Sequence, residues 1–334
     1  MSRKQPADGP SRITMRDIAE IAGVSRTTVS HALSGQGRVE ASTRERIREI
    51  AQGVGFVPSP TALALKTGRT GVLAIVNATT GGSLEYFMLA ASAASYEALE
   101  AGYTLALVPN ERQETWVRQL PMDGVIVLDP LDDDPIMAAL RERGTPVVTI
   151  GDAPAPPGLE VPTVGTDRVT GADDVLDHLY ARGARRPALI IDHQRRRWIV
   201  ETRRAYTEWM HRHHLEPVIL DVVDEAPDED VFEAVRDLVQ YGEVDAAYVP
   251  FGPMAAGVLA AIEDLHLEVP RQFRIVSQEG IRARTGRPTL TALDDRPDEV
   301  ARLAMHALIE QLTGPGAAIG SRLVQPSLIV RETT

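Results

Sequence analysis

No cysteine occurs in the 334 residues. That excludes disulfides, thiolate metal sites and cysteine nucleophiles, and fits a reducing compartment. The amino-terminal MSRKQPADGPSR lacks the apolar stretch of a secretory leader, and no apolar run approaches the length that spans a bilayer. These absences point to a cytoplasmic protein. Gly-x-Ser-x-Gly elbows, phosphate-binding loops and His-Glu-x-x-His helices are missing too. The pair Gly35-x-Gly37 has neither a preceding strand nor a third glycine. In the run His211-Arg212-His213-His214, no carboxylate or thiolate spacing completes a metal site, so it reads as a solvated helix end. Asp132, Asp133 and Asp134 read as the acidic start of a helix before Ile136. Neither a metal nor a cofactor is expected.

The formal net charge of −12 argues against a nucleic-acid partner until it is divided along the chain. Residues 1–70 carry 11 Lys/Arg against 6 Asp/Glu, a net of +5, and the remainder carries 24 against 41, a net of −17. A basic head on an acidic body favours phosphates locally while the body repels them.

The head is organised around ITMRDIAEIAGVSRTTVSHALS, residues 13–34. It reads as two short helices with a tight turn between them. Ile18, Ala19 and Ala22 mark an apolar face on the first. Gly23 enters a left-handed conformation cheaply, and Ser25 supplies a cap for the second helix. Val29, Ala32 and Leu33 share one side of that helix, and Arg26, Thr27, Ser30, His31 and Ser34 the other. The polar side holds no Asp or Glu. Short donors and acceptors flanked by cations suit a helix lying in a DNA major groove. Ser42–Val54 reads as a third helix stopped by Gly55. Ser59 and Pro60 then start a helix of about eight residues, too short to stand alone in water, and this stretch reads as a hinge.

From Gly71 strands alternate with helices. Candidate strands are Val72–Val76, Thr104–Val108, Gly124–Leu128, Val147–Ile150, Ala188–Ile191, Val218–Val222, Ala246–Val249 and Arg274–Val276. Most are continuous apolar runs, as buried parallel strands are. Helical patterns lie between many of them. The pattern predicts a doubly wound α/β body long enough for two lobes with a cleft between them. The expected divisions are a disordered extension 1–12, a helix-turn-helix domain 13–57, a hinge 58–70, and an effector-binding and dimerisation domain 71–334.

These residues resemble the lactose/galactose repressor (LacI/GalR) family of bacterial transcription regulators. The matching words are ITMRDIAEIAGVSRTTVSHALSG, STRERIREIAQGVGFVPS and LALKTGRTG in the head. Weaker matches run through the body, among them MDGVIVL at 122–128, GTPVVTI at 144–150 and LDHLYARGARRPALI at 176–190. The resemblance implies a small all-α head and a periplasmic-binding-protein-like body. It places Thr14, Ser25, Thr28 and Ser30 at phosphate contacts, and Arg26, Thr27 and His31 at base edges. Leu65 falls where the family wedges a leucine into the minor groove. Its alternative role is a contact between paired hinge helices.

In the cleft, the resemblance sets Tyr86 and Phe87 where relatives stack aromatics against an effector. Arg196 and Trp198 follow one strand and Asp152 another, on the carboxyl-end side where such folds bind ligands. The chain also departs from the family. Phe251-Gly252 replaces an Asn-Asp pair, Thr202 stands where an arginine grips the ligand, and Gln278-Glu279 replaces Phe-Asp. These losses argue against assuming a sugar. The effector positions are therefore Tyr86, Phe87, Asp152, Arg196, Trp198, Thr202, Phe251 and Glu279.

The implied function is a homodimeric, sequence-specific repressor that binds a pseudo-palindromic operator and a small-molecule effector, away from any membrane. Two alternatives stand beside it: a ligand-independent DNA-binding dimer with a degenerate effector domain, and an enzyme built on the α/β body.

Overall fold

The computed structural model describes residues 13–34, 37–56, 68–77, 84–108, 113–130, 134–151, 161–192, 196–222, 228–242, 244–314 and 320–334. The proposed amino-terminal extension, nearly all of the hinge with Leu65, and Asp152 lie outside them. Contacts divide the chain into two units, Met1–Thr70 and Gly71–Thr334.

The head is three helices: α1 (Met15–Ala22), α2 (Arg26–Ser34) and α3 (Ala41–Gly53). Thr14 and Asp17 form a reciprocal cap at the start of α1. The Asp17 N–H donates to Thr14 Oγ1 at 3.4 Å and the Thr14 N–H donates to Asp17 Oδ2 at 2.7 Å. The Thr14 backbone N–H, then its hydroxyl, hold the Asp17 carboxyl below its usual range. Gly23 ends the helix at φ 63°, where a Cβ is costly. Ile18, Val29, Ala32 and Ile47 then meet in a small core, and Arg46 ties α3 to the end of α1 by donating to Ala22 O at 2.9 Å.

The body holds two six-stranded sheets. The first comprises β1 (Val72–Asn77), β2 (Thr104–Val108), β3 (Gly124–Leu128), β4 (Val147–Ile150), β5 (Thr163–Thr166) and β11 (Arg322–Val324), in the order β11-β5-β4-β3-β1-β2, all parallel. The second comprises β6 (Pro187–Asp192), β7 (Ile219–Val222), β8 (Ala246–Val249), β9 (Arg274–Gln278), β10 (Thr291–Asp294) and β12 (Ser327–Ile329), in the order β12-β10-β9-β8-β6-β7. Among the described residues its one antiparallel pair is β10 with β12. Eight strands coincide with the sequence expectation to within a residue or two. The other four, at β5 and β10 to β12, are three or four residues long and give no continuous apolar run.

Helices cover both faces of each sheet. In the first lobe α4 (Leu84–Glu100) and α12 (Pro297–Thr313) pack on one face, and α5 (Gln113–Gln119) and α6 (Pro135–Arg143) on the other. In the second lobe α7 (Arg168–Ala181) and α8 (Arg197–Arg212) pack on one face, and α9 (Asp228–Gly242) and α10 (Ala255–Asp264) on the other, with the short α11 (Ile281–Thr285) beside them. The strands show why. Leu73 and Ile75 of β1 enter one core while Ala74 and Val76 enter the opposite one. Ala188 and Ile190 of β6 are likewise split from Leu189 and Ile191. Burying each large aliphatic side chain contributes roughly 1.5–3 kcal/mol, so a strand apolar on both sides is stable only when sandwiched. Caps set the helix starts. Asp167 accepts from the Thr170 N–H at 3.0 Å and starts α7. Asp134 accepts from the Ile136 N–H at 2.9 Å and starts α6, the role expected for that acidic run.

Three crossovers join the lobes: Thr166 to Arg168, Asp294 to Pro297, and Val324 to Ser327. They lie side by side. The Thr166 hydroxyl donates to Asp295 O at 3.0 Å, the Asp167 N–H donates to Val324 O at 2.9 Å, and Gln325 Nε2 donates to Asp167 Oδ2 at 2.9 Å. Arg168 and Asp295 form an ion pair at 2.7 Å with only 16% and 3% of their side chains exposed, and Gln278 Nε2 donates to the same carboxylate at 2.9 Å. Removing one partner of such a pair leaves a charge stranded out of water. Asp295→Ala is expected to destabilise the body by about 3 kcal/mol. Arg168→Ala combined with Asp295→Ala should cost clearly less than the two single losses summed. Urea denaturation of the four proteins measures both; simple additivity would rule out the coupling.

Candidate functional site

Two surfaces carry chemistry. The first is the outer face of α2. Ser25 Oγ accepts from the Thr28 N–H at 3.1 Å and lies 2.9 Å from the Thr28 hydroxyl, so the start of the helix is capped from within. Val29 and Ala32 turn into the core, while Ser25, Arg26 and Thr27 are exposed and Thr28, Ser30 and His31 half-buried. The His31 ring lies against Gly37, where a Cβ would stand 2.6 Å from Nδ1. Gly37, at φ 80°, thus brings its own backbone against the ring. Thr14, at the start of α1, is exposed as well.

The second surface is the cleft between the two sheets of the body. Asn77, Tyr86, Phe87, Leu128, Asp129, Arg168, Arg196, Trp198, Pro250, Phe251 and Gln278 line it. Most sit at or just beyond the carboxyl ends of strands, where helix starts and loops project side chains away from the sheet. Four of the chain's fifteen Phe, Trp and Tyr residues meet here, so its walls are far more aromatic than the rest of the molecule. Arg168 stands 5.7 Å from the centre of the Trp198 ring. Burial depresses its basicity, but the Asp295 carboxylate outweighs that and fixes the guanidinium as a cation. Burial also pushes the Tyr86 hydroxyl up, against the pull of Arg168, so the phenol keeps its proton and can donate it in a hydrogen bond.

Asp129 follows β3 with φ 42°, a left-handed conformation unusual for a residue other than glycine. Gly151, at the end of β4, makes room for its side chain: a Cβ there would stand 2.3 Å from Asp129 Oδ1. Strained backbone of this kind is concentrated at functional sites.

Of the effector positions expected from sequence, Tyr86, Phe87, Arg196, Trp198 and Phe251 line the cleft together. Thr202 does not. It is 1% exposed and its hydroxyl donates to Trp198 O at 2.8 Å, inside α8. Glu279 does not either: it accepts from Arg331 NH2 at 3.0 Å and Arg284 NH1 at 3.2 Å. Its charge is spent on neighbouring cations within the second lobe. Arg203 and Arg204, next to Thr202, bind Asp221 and Glu208 respectively. Sequence reasoning missed Asn77, Asp129 and Arg168 as cleft residues. Arg168 was hidden because β5, TVGT, carries no strand pattern. These residues restore polarity at a cleft that had seemed to lose it. Among the described residues no group of three or more His, Cys, Asp or Glu is placed to hold a metal ion. The His213 ring stacks on Trp209 at 3.9 Å.

The model of the "bacterial regulatory proteins, lacI family" matches residues 14–59, and that of the "periplasmic binding protein-like domain" matches residues 176–334. The HTH-type transcriptional regulator CelR of Thermobifida fusca is 27% identical over 335 residues, covering 96% of this chain and 98% of CelR. The structure of a CelR–cellobiose complex aligns with a TM-score of 0.71 at 23% identity, over 97% of this chain and all of that one. The Lac repressor dimer bound to operator and the anti-inducer ONPF aligns with a TM-score of 0.80 at 21% identity, over 97% of this chain and 99% of that one. With the head matched at 14–59, the later part of the body at 176–334 and CelR aligned over nearly the whole chain, the chain belongs to the LacI family of bacterial regulatory proteins.

Proposed function

We propose that this chain represses transcription by binding DNA through α2, and that a small molecule held in the cleft of its body modulates that binding. The observation that carries the reading is the acid-free outer face of α2, with Arg26, Thr27 and His31 presented together on a basic head. Base contacts from Arg26, Thr27 and His31 and phosphate contacts from Thr14, Ser25, Thr28 and Ser30 are the roles the family resemblance implies for these exposed or half-buried residues. The cytoplasm is the compartment such a protein works in.

A second copy of the chain is the proposed partner. Helix α4 leaves Leu84, Met88, Tyr96 and Leu99 exposed at helical spacings, and the edge strand β2 adds Leu107. A patch of that kind fits a self-complementary interface. Tyr96→Glu should turn the dimer into a monomer in light scattering with the body still folded. A dimer that survives unchanged would place the interface elsewhere.

The cleft favours a ligand-responsive body over a degenerate one. Arg168 is balanced by Asp295, and the lining holds one further cation, Arg196, and one further carboxylate, Asp129, so the walls suit an uncharged molecule. Two donors of the guanidinium type, two amides, a carboxylate and a phenol surround flat aromatic faces. A hydroxyl-rich, sugar-sized molecule matches that mixture, and cellobiose in the CelR complex is of this class. Thermal melts against sugars, nucleosides and carboxylic acids test it. A ligand at 100 times its Kd adds about 2.7 kcal/mol of stability, and Trp198→Ala should abolish the shift. Stabilisation by carboxylic acids alone would overturn the assignment.

On DNA, affinity should fall by orders of magnitude between low and moderate salt. His31→Ala should cost about 1–3 kcal/mol on the cognate site and flatten preference at one symmetric pair of positions. An equal loss on random DNA would reassign His31 to phosphate contact, and a flat salt dependence would refute the DNA-binding reading.

A further inference from the structure

Glu85 belongs to the first lobe, in the opening turn of α4, yet its carboxylate reaches across the cleft. Its two oxygens accept the backbone N–H of Ile281 at 2.7 and 2.9 Å. Arg284 approaches the same carboxylate at 3.5 Å. Ile281 and Arg284 are on α11, whose Ala283 is part of the second lobe's core. The approach depends on Gly280, where a Cβ would stand 2.7 Å from Glu85 Oε2. Arg284 is also steadied from behind: Glu279 holds it at 3.2 Å, and Arg331 holds Glu279 at 2.8 Å.

The contact sits at the mouth of the ligand cleft. Tyr86 and Phe87, the next residues after Glu85, are cleft walls, and so is Gln278, the residue before Glu279. A bound molecule that moves those side chains moves the ends of this bridge.

We propose that Glu85 is an inter-lobe latch that keeps the cleft closed when no ligand is bound. Hydrogen bonds to an ionised carboxylate are among the stronger ones a protein makes, and the three parallel crossovers leave the lobes a hinge to turn on. The latch sets the ratio of closed to open body that any effector must shift, and an effector shifts it only by its differential affinity for the two.

The missing cysteines make the test clean. Thr115→Cys on α5 and Glu233→Cys on α9, both exposed, carry spin labels beside β2 and β7, the edge strands at the far end of each sheet from the crossovers. Pulsed dipolar spectroscopy of the full-length protein without ligand, diluted with unlabelled protein, reads the lobe separation. The latched protein should show one short distance. Glu85→Ala and Gly280→Ala, which attack the contact from opposite lobes, should each raise the open-to-closed ratio about tenfold, the order of one charge-assisted hydrogen bond. The Ile281 amide should also exchange hydrogen about tenfold faster. Circular dichroism checks folding, and the isosteric Glu85→Gln replaces any variant that fails to fold. Identical distance distributions in the parent and the variants, or a parent that is already mostly open, would overturn the latch.

Discussion

A guanidinium and a carboxylate, each nearly out of water, hold the middle of the body together. Arg168 begins the helix that follows one crossover and Asp295 lies on another. Neither charge is tolerable there without its partner. Each therefore fixes the other's place, and the two crossovers with it. Gln278 joins the same carboxylate from the end of β9. Because Arg168 and Gln278 are also cleft walls, the groups that define the hinge also face the cleft. The lining of the cleft and the relative position of the lobes thus share one set of atoms.

Around this centre the molecule separates its tasks by residue type. The cores are aliphatic and alanine-rich, which lets helices lie close on both faces of each sheet. Six of the fifteen Phe, Trp and Tyr rings lie where a flat face is wanted, at the cleft and in the Tyr180–Trp209–His213 stack of the second lobe. The cations divide in a similar way. On α2 Arg26 is presented outward, whereas many arginines of the body are bound to carboxylates, some one helical turn away and others far along the chain. A basic head can therefore meet DNA without the body competing for the same phosphates.

The helical head was legible because its signals are local: a left-handed glycine at 23, a capping serine at 25, and apolar spacings that close into one small core. Eight strands were legible because burial on both faces demands unbroken apolar runs. The other four were not. TVGT at β5, TALD at β10, and the three-residue β11 and β12 are strands only because a neighbouring strand already offers its hydrogen bonds. The cleft followed the same rule. Tyr86, Phe87, Arg196, Trp198 and Phe251 stand next to strands or helices that sequence makes visible. Arg168 stands next to an invisible one, and its partner Asp295 is more than a hundred residues away in the chain. Thr202 and Glu279 were placed by position within a family pattern. Position does not reveal that one hydroxyl turns into its own helix or that one carboxylate is claimed by Arg331.

The left-handed backbone at Asp129 also limits how this cleft can change over evolutionary time. Most side chains are strained at that angle, whereas asparagine and glycine enter it readily. The neighbouring Gly151 is bound by its own positive φ and by the carboxylate it shelters. A lineage acquiring a different ligand therefore has two cheap steps at this wall: neutralising the charge with asparagine, or erasing the side chain with glycine. The opposite wall, at Trp198 and Phe251, carries no positive-φ constraint. Diversification of ligand preference should accumulate there, with position 129 left as the slow-changing edge of the cleft.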